Sequence, residues 1–225
     1  MDFIVDHHPD FVVTHKPANW DFHDCDGNQG FYHWVQDQLG EELWPVHRLD
    51  KVTSGLLLFS RSKQACANIA ELFAQNSVHK VYLAIAEGSP KKKQGQIRGD
   101  MARSRRGSWK LLRTQTNPAI TQFQSLNLKP KVRVYWLKPS TGKTHQLRVA
   151  LKSLGTPILG DELYGGAASD RVYLHAYQLG FEYQQTFFNW SLSPTLGELF
   201  LTSSFQAVIE QFKPVEQAAT KRLDQ

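Results

Sequence analysis

The sequence predicts an α+β fold built on a largely antiparallel sheet. Most of the predicted elements are strands, and neighbouring strands are joined by short turns, which argues against a regular alternation of strands and helices. The chain has 225 residues, of which 41% are hydrophobic and 21% are charged. This composition is typical of globular proteins, and the length suffices for a sizeable core. We therefore expect a single domain over residues 1–225.

The first part of the chain contains short strands and two amphipathic helices. The opening FIVDHHPDFVVTHKP predicts two strands around a polar turn. Residues 29–39 are predicted to form a short helix, and residues 55–60 a buried strand. Ser62 can cap a second helix, whose apolar residues recur at helical spacing. The apolar and small residues of the segment 80–88 predict another strand.

The second part of the chain continues the pattern of paired strands. Its clearest helix carries apolar residues on one face and stops before Gly155, a residue that commonly ends helices. A polar tail from about residue 215 is expected to fray. The predicted elements are strands at 119–127 and 131–138, a helix at 144–154, strands at 171–175 and 178–183, and a last amphipathic helix around residues 205–212.

Positive charge is concentrated in one segment, from Lys91 to Arg113. This segment holds nine basic residues and one acid, Asp100, which gives a charge of 9 − 1 = +8, whereas the whole chain carries +5. A concentrated basic segment indicates a phosphate-rich partner such as a nucleic acid. A loop made basic for solubility would explain the charge equally well. Glycines within the segment predict that it is mostly loop, with a strand near residues 109–114.

Several classes of protein lack their usual signals in this sequence. No apolar stretch approaches the ~20 residues that span a bilayer, and the N-terminus has no secretory pattern, so we expect a cytoplasmic protein. The two cysteines cannot form a disulfide framework. The nine histidines show no metal-ligand spacing such as HExxH. Glycine-rich nucleotide-binding motifs and GxSxG are also missing from the sequence.

The segment HRLDKVTSGLLLFSRS, residues 47–62, is a first candidate for chemistry. Asp50 follows Arg48, and a polar, turn-like stretch then leads into a hydrophobic strand. Catalytic groups are often mounted on such a loop beside a rigid buried element. An exposed turn with an ordinary ion pair, which contributes little stability, is the alternative.

A second candidate is TGKTHQLRVALKSLGTPILGDELYGG, residues 141–166. The sequence predicts that Lys143, Thr144, His145 and Arg148 lie in the first turns of a helix. His145 and Arg148 are three residues apart and would share a face, opposite an apolar one. Backbone N–H groups at a helix N-terminus also favour anions. The alternative is a buried helix with one solvated side.

These two segments, with KVYLAIAEG and RVYLHAYQLGF, closely resemble the successive motifs of the RluA-type pseudouridine synthases in order and spacing. FVVTHKP resembles the first motif of that family, and the match covers about residues 11–181. The resemblance implies a mixed, mainly antiparallel sheet with flanking helices and a central catalytic cleft. It also implies an enzyme that isomerises specific uridines of structured RNA, 23S rRNA or tRNA, to pseudouridine without cofactor or metal. Only 46 residues precede HRLD, so we expect a short form without an N-terminal RNA-binding domain, and a monomer.

The resemblance assigns roles to individual residues. Asp50 corresponds to the essential aspartate of the family, and Arg148 to the basic residue that pairs with it. Tyr82 corresponds to the tyrosine that lies against the target base, and Arg48 to an arginine associated with the passage of RNA into the site. Lys16 belongs to the first motif and is expected to bind substrate. An RNA-clamping loop is expected at roughly 98–114, with phosphate contacts from Arg103, Arg105, Arg106, Lys110 and Arg113.

The chemistry requires one ionised carboxylate. The N1–C1′ bond must break, and the base must turn so that C5 attacks C1′. An aspartate can assist by attack at C1′, by attack at C6 of the base, or by abstraction of the 2′ proton, and the sequence leaves these three open. Flipping a base out costs a few kcal/mol, and stacking on an aromatic ring returns ~1–3 kcal/mol.

Two other functions compete with this interpretation. One is a catalytically inactive RNA-binding module on the same scaffold, which has no use for Asp50, Tyr82 and Arg148 together. The other is a metal-dependent hydrolase, which needs a ligand cluster that the sequence does not contain.

Overall fold

The computed structural model describes residues 3–220 and, for side chains, residues 3–212. The frayed tail predicted from about residue 215 lies outside the part whose side chains are described. The helices are α1 Phe31–Leu39, α2 Lys63–Ala74, α3 Gln146–Ser153 and α4 Ser203–Thr220. The strands are β1 Ile4–His7, β2 Phe11–Lys16, β3 Trp44–Pro45, β4 Ser54–Ser60, β5 His79–Glu87, β6 Gln94–Gly99, β7 Met101–Arg103, β8 Trp109–Leu111, β9 Ala119–Lys129, β10 Val132–Pro139, β11 Leu174–Tyr183 and β12 Thr186–Ser191.

Ten of these strands form one sheet, and β7 and β8 form a separate hairpin. The order in the sheet is β1-β2-β4-β11-β5-β10-β9-β6, with β12 paired to β11 and β3 paired to β4. All of these pairs are antiparallel except β4 and β11, which run parallel over two residue pairs. The predicted α+β class with a mixed, mainly antiparallel sheet is therefore confirmed.

The parallel contact between β4 and β11 depends on Gly55. This glycine has φ of +116°, and a Cβ atom there would lie 2.2 Å from the carbonyl oxygen of Ala176. Only glycine allows so close an approach without strain. Ala176 is also the partner of Tyr82 on β5. The close approach thus brings the start of β4, and the loop before it, next to the strand that carries Tyr82.

The helices pack their apolar faces against the sheet, as their sequence periodicity predicts. Ser62 caps α2, because its hydroxyl accepts a hydrogen bond of 3.1 Å from the backbone N–H of Ala65. The ring of Phe212 on α4 stacks on Trp136 of β10, with ring centroids 5.2 Å apart. Leu151 of α3 is fully buried in the same core. None of the described helices is long and apolar enough to cross a membrane.

The predicted strands at 171–175 and 178–183 are wrong as two elements. They correspond to a single strand, β11, whose pairing with β5 shifts register between Ala176 and Gln178. This irregularity interrupts the alternation of buried and exposed side chains by which a strand is recognised in a sequence. The following strand, β12, was not predicted, because the turn before it contains Gln184 and Gln185 at φ of 50° and 64°. Hairpin turns with such backbone angles usually contain glycine or asparagine, and these residues make the turn recognisable in a sequence.

The helix predicted at 144–154 starts two residues further along the chain in the structure, at Gln146. His145 has a left-handed backbone with φ of 58°, and α3 starts at Gln146. The buried side chain of Gln146 holds this start in place by accepting from the backbone N–H of Lys143 and donating to the carbonyl of Ile120. Lys143, Thr144 and His145 therefore precede the helix, and of the four residues predicted for its first turns only Arg148 lies within it.

Candidate active site

The loop that carries Asp50 joins β3 to β4 and is held tightly by its own backbone. The carbonyl of Asp50 accepts a hydrogen bond of 3.0 Å from the N–H of Thr53, which closes a turn. Leu49 is buried on one side of the aspartate. The Asp50 side chain is 26% exposed. Its carboxylate is thus anchored on buried neighbours while it remains accessible from a cavity.

His47, the first residue of the HRLD motif, supports the same segment. Its Nε2 accepts a hydrogen bond of 3.1 Å from the backbone N–H of Leu58 on β4, and its ring stacks on Phe73 of α2. Burial lowers the pKa of His47 to about 3. The imidazole is therefore neutral at physiological pH and serves as a fixed hydrogen-bond acceptor.

Lys16 lies beneath the Asp50 loop and not in the cleft. Its side chain is fully buried, and the ammonium donates to the carbonyls of Pro17 at 2.8 Å, Lys51 at 3.1 Å and Thr53 at 3.0 Å. Burial lowers the pKa of this ammonium to about 7, against the opposing charges of nearby carboxylates. This enclosure argues against the predicted contact of Lys16 with RNA, because an RNA phosphate cannot reach an ammonium that the protein surrounds in this way. Lys16 instead fixes the backbone on either side of the Asp50 turn.

Replacing Lys16 by methionine is expected to lower the free energy of unfolding by about 3 kcal/mol, since three buried carbonyls lose their donor. Urea unfolding measures this loss. The matched control is Lys51→Met, which removes an exposed ammonium whose partner is Asp21 at 2.6 Å, and an exposed ion pair of this kind contributes little to stability. Equal losses in the two variants would contradict the assigned role of Lys16.

Arg148 joins two carboxylates through one buried guanidinium. Its Nε and Nη2 donate to the two carboxylate oxygens of Asp161 at 2.7 and 2.8 Å. Its Nη1 lies 3.5 Å from Oδ2 of Asp50, a weaker ion-pair contact. Burial acts to lower the pKa of Arg148, but the bonds and charge of Asp161 outweigh it and the pKa is raised. Asp161 is therefore the main partner of Arg148, where the sequence suggested Asp50, and the guanidinium is only 6% exposed.

Asp161 is the site residue that sequence reasoning missed. Its side chain is 1% exposed, and it precedes a short 3₁₀ turn, Glu162–Tyr164. The signal was present in PILGDELYGG, where an acid stands among residues that the fold buries, such as Leu159 and Tyr164. A buried carboxylate requires a charged or hydrogen-bonding partner. The sequence does not say which of the basic residues supplies it.

Tyr164 and His145 complete the layer around Arg148. The Arg148 guanidinium lies over the Tyr164 ring, 4.9 Å from the ring centroid, a favourable cation–π geometry. The Tyr164 hydroxyl is 2.8 Å from Nδ1 of His145 and accepts a hydrogen bond of 3.0 Å from the backbone N–H of Trp109 on β8. The sequence assigned no role to Tyr164, and it identified His145 only as part of the predicted cationic start of a helix.

Asp50, Tyr82 and Arg148 line one small cavity of about 80 Å³, together with His145 and Leu174. Burial raises the pKa of Tyr82, and the charge of Asp50 adds to the shift, so the phenol stays protonated at neutral pH. The structure thus brings the three predicted catalytic residues together, and their individual roles stay predictions.

A wider cavity of about 410 Å³ adjoins the small one at the same loop. The segment 21–25 forms one wall of it, and Arg48, Asp50 and His145 form another. Arg48 is exposed there, with its Nη2 3.3 Å from the Thr144 hydroxyl. The two cavities share Arg48, Asp50, His145 and Arg148 in their walls and together form one cleft.

The basic hairpin, β7 and β8 with the turn between them, projects beside this cleft. The sequence predicted a loop with one strand, and the structure shows a two-stranded hairpin whose tip is the 3₁₀ turn Arg105–Gly107. The Arg103 guanidinium lies 5.7 Å from the ring centroid of Trp109. All five predicted phosphate-binding side chains are exposed: Arg103, Arg105, Arg106 and Lys110 in the hairpin, and Arg113 just after it.

Two other features bear on the site. A larger cavity of about 490 Å³, lined by Trp20, Phe31 and Trp34 among others, contains none of the predicted site residues. Among the side chains that the structure describes, residues 3–212, no group of three or more His, Cys, Asp or Glu residues is arranged to hold a metal ion.

The model of a family described as RNA pseudouridylate synthase matches residues 10–153 of this chain. The chain belongs to that family. This synthase is 47% identical over 201 residues to a Haemophilus influenzae protein described as an uncharacterized RNA pseudouridine synthase. The aligned region covers 88% of this chain and 90% of the relative. It is 35% identical to the dual-specificity RNA pseudouridine synthase RluA of Pasteurella multocida, over 81% of this chain and 88% of that protein.

The fold of the synthase agrees with this assignment. The human protein RNA Pseudouridylate Synthase Domain Containing 4 superposes with a TM-score of 0.71 at 27% identity, over 88% of this chain and 90% of the other. As a member of the family, the chain is an RNA pseudouridine synthase, an isomerase that converts uridine in RNA to pseudouridine.

Proposed function

We propose that this synthase isomerises uridine in structured RNA with Asp50 as its essential carboxylate. The observation that supports this role is the position of the Asp50 carboxylate, which faces the cavity lined by Tyr82 and lies 3.5 Å from Nη1 of Arg148. Side chains from several elements line the cavity, so a base that enters it exchanges part of its contact with water for contact with protein. The Asp50 carboxylate is then placed to meet the C1′–N1 region of the nucleotide.

Isomerisation conserves every atom of the nucleotide. The N1–C1′ bond breaks, the uracil turns, the C5–C1′ bond forms, and C5 loses its proton while N1 gains one. Asp50 can assist by attack at C1′, by attack at C6, or by removal and return of the 2′ proton. Each of these roles requires the ionised carboxylate, and the guanidinium of Arg148, 3.5 Å away, can hold its direction.

Asp161 does not act as a second catalytic acid in this proposal. Glycosidases use two free carboxyl groups, one as acid and one as base or nucleophile. Here both oxygens of Asp161 are bound by Arg148, and the side chain is buried. Asp161 neutralises and orients the guanidinium, so that Asp50 receives one weak contact from Arg148 and keeps its capacity to react.

Tyr82 is proposed to receive the extruded base. It projects from β5 into the same cavity as Asp50, where its ring can offset the cost of unstacking by ~1–3 kcal/mol. Its raised pKa keeps the hydroxyl protonated. Arg48, exposed at the mouth of the cleft, is proposed to contact the nucleotide as it passes inward.

The basic hairpin is proposed to hold the RNA backbone. Its arginine and lysine side chains are exposed beside the cleft, and side chains that bind phosphates position RNA without reading its sequence. Since the hairpin is also joined to Tyr164 by the N–H of Trp109, its position is fixed relative to the catalytic cavity.

Replacing Arg105 and Arg106 together by alanine is expected to weaken RNA binding and to flatten its salt dependence. The slope of log K against log salt should become shallower by about 1.4–1.8, because each lost phosphate contact removes about 0.7–0.9. The control is Lys129→Ala with Lys131→Ala, two exposed lysines beside the β9–β10 turn. An unchanged slope in the arginine variant would show that the hairpin is not a phosphate clamp.

We further propose that the substrate is 23S rRNA or tRNA, and that the enzyme acts in the cytoplasm as a monomer without a cofactor. The 35% identical relative from Pasteurella multocida is described as having dual specificity, which supports testing both RNA classes. Pseudouridines should be mapped in rRNA and tRNA from a strain that lacks the gene and from its parent. A position missing only in the deletion strain names the substrate. An unaltered map in both RNA classes would favour an RNA-binding protein without this activity.

A further inference from the structure

A chain of hydrogen bonds connects the basic hairpin to the catalytic cavity. The backbone N–H of Trp109 donates to the Tyr164 hydroxyl oxygen at 3.0 Å. That same hydroxyl lies 2.8 Å from Nδ1 of His145. A phenol oxygen can accept a hydrogen bond and donate its single proton at the same time, so Tyr164 can accept from Trp109 and still donate to Nδ1. With the proton of Tyr164 assigned to this contact, the chain runs from Trp109 through Tyr164 to His145.

This direction selects the tautomer of His145. A neutral imidazole that accepts at Nδ1 carries its proton on Nε2. Burial lowers the pKa of His145, while the charge of Asp50 acts in the opposite sense. The neutral ring is thus the relevant form at physiological pH. Among the described residues, none accepts a hydrogen bond from Nε2.

The position of His145 makes this Nε2–H available to a substrate. The residue lines both the small cavity with Asp50 and the wider cleft outside it. Its backbone has φ of 58°, a strained conformation for a non-glycine residue and one that clusters at functional sites. The side chain is therefore placed at the boundary of the two cavities by a backbone that the surrounding structure has to maintain.

We propose that His145 contacts the substrate, donating its Nε2–H to an oxygen of the target nucleotide, and that Tyr164 is a positioning residue that fixes the required tautomer. This inference rests on the proposed function of the Asp50 cavity. Tyr164 has a second connection to the chemistry, since its ring lies against the Arg148 guanidinium. The hairpin, Tyr164 and His145 form one unit that aligns the nucleotide with Asp50.

The test uses the full chain with His145→Phe, Tyr164→Phe and the double variant. Single-turnover rates at saturating RNA are expected to fall about 30-fold for His145→Phe and about 10-fold for Tyr164→Phe. The double variant should be no slower than His145→Phe alone, because Tyr164 acts through His145. RNA affinity should change by less than about 3-fold. His145→Gln, whose amide can still donate a hydrogen bond, should recover part of the rate.

A second measurement keeps the inference testable if a variant is less stable. The ¹⁵N spectrum of histidine-labelled protein, assigned with His145→Gln, should show the Nε2–H tautomer in the native protein and a mixture in Tyr164→Phe. The control is Tyr173→Phe, which removes a hydroxyl bound to Asp170 and to the N–H of Leu199. It should leave both the rate and the His145 spectrum unchanged.

The outcomes separate this inference from the proposed function. Wild-type turnover in His145→Phe, additive losses in the double variant, or an unaltered tautomer in Tyr164→Phe would each overturn it. If Asp50→Asn is inactive while any of these is observed, only the role of His145 and Tyr164 fails. If Asp50→Asn is itself active, the proposed function fails first, and this inference fails with it.

Discussion

Asp50→Asn is expected to abolish pseudouridine formation while RNA affinity stays within about 2-fold of the native value. Asparagine has nearly the same shape as aspartate, but it has no charge with which to attack carbon or remove a proton. The single-turnover rate should fall by at least about 10³-fold, as when a catalytic group is removed from other enzymes. Pseudouridine formation is measured on saturating RNA, and affinity by titration of the same RNA. Asp50→Ala should be equally inactive.

A matched control separates the chemistry of Asp50 from the charge of the cleft. Asp21 lines the wider cavity with Asp50 and pairs with Lys51 at 2.6 Å. Asp21→Asn removes the same charge from the same cleft, and its rate should stay within a few-fold of the native rate. Measurable turnover by Asp50→Asn would refute the mechanism, and an equal loss in Asp21→Asn would attribute the effect to electrostatics alone.

Arg148→Met is expected to lower the free energy of unfolding by about 3–5 kcal/mol and to reduce activity severely. Asp161 is buried and loses both of its hydrogen bonds in this variant, and an uncompensated buried charge is strongly destabilising. Asp50 loses the guanidinium at 3.5 Å at the same time. Urea unfolding and single-turnover rates measure the two effects separately.

The double variant Arg148→Met with Asp161→Leu separates stability from catalysis. Apolar replacement of a complete buried ion pair is often neutral or stabilising, so most of the lost stability should return. Activity should not return, because Asp50 still has no cation beside it. Recovery of the rate in the double variant would mean that Arg148 serves only to neutralise Asp161, and the proposed electrostatic role toward Asp50 would have to be abandoned.

The elements that the sequence predicted well are those with strong local signals. Ser62 and the helical spacing behind it located α2, and the run at residues 55–60 corresponds to β4, all of whose residues are buried. The errors lie where local signals are weak or misleading. The hairpin turn at Gln184 and Gln185 lacks glycine, and the left-handed backbone of His145 makes α3 start two residues later than the sequence suggests.

For the candidate site, too, the sequence predicted some features correctly and assigned others to the wrong partner. The motifs identified Asp50, Tyr82 and Arg148, which do line one cavity, and the charge count identified the segment that contains the basic hairpin. The partner of Arg148 was assigned to Asp50, although Asp161 makes the stronger bonds. Lys16 was assigned to RNA, although it bonds to the backbone under the Asp50 loop.

The sequence by itself determined the α+β class, the family, and which residue types carry the chemistry, because these follow from local periodicity and from motifs that are contiguous in the chain. Tertiary structure alone decided which buried charge neutralises which. Lys16 reaches carbonyls 35 and 37 residues away, and the hydroxyl of Tyr164 meets the N–H of Trp109 across 55 residues. Such pairs depend on strand register and loop packing. The sequence near a charged residue does not reveal which distant group will pair with it once folding has buried it.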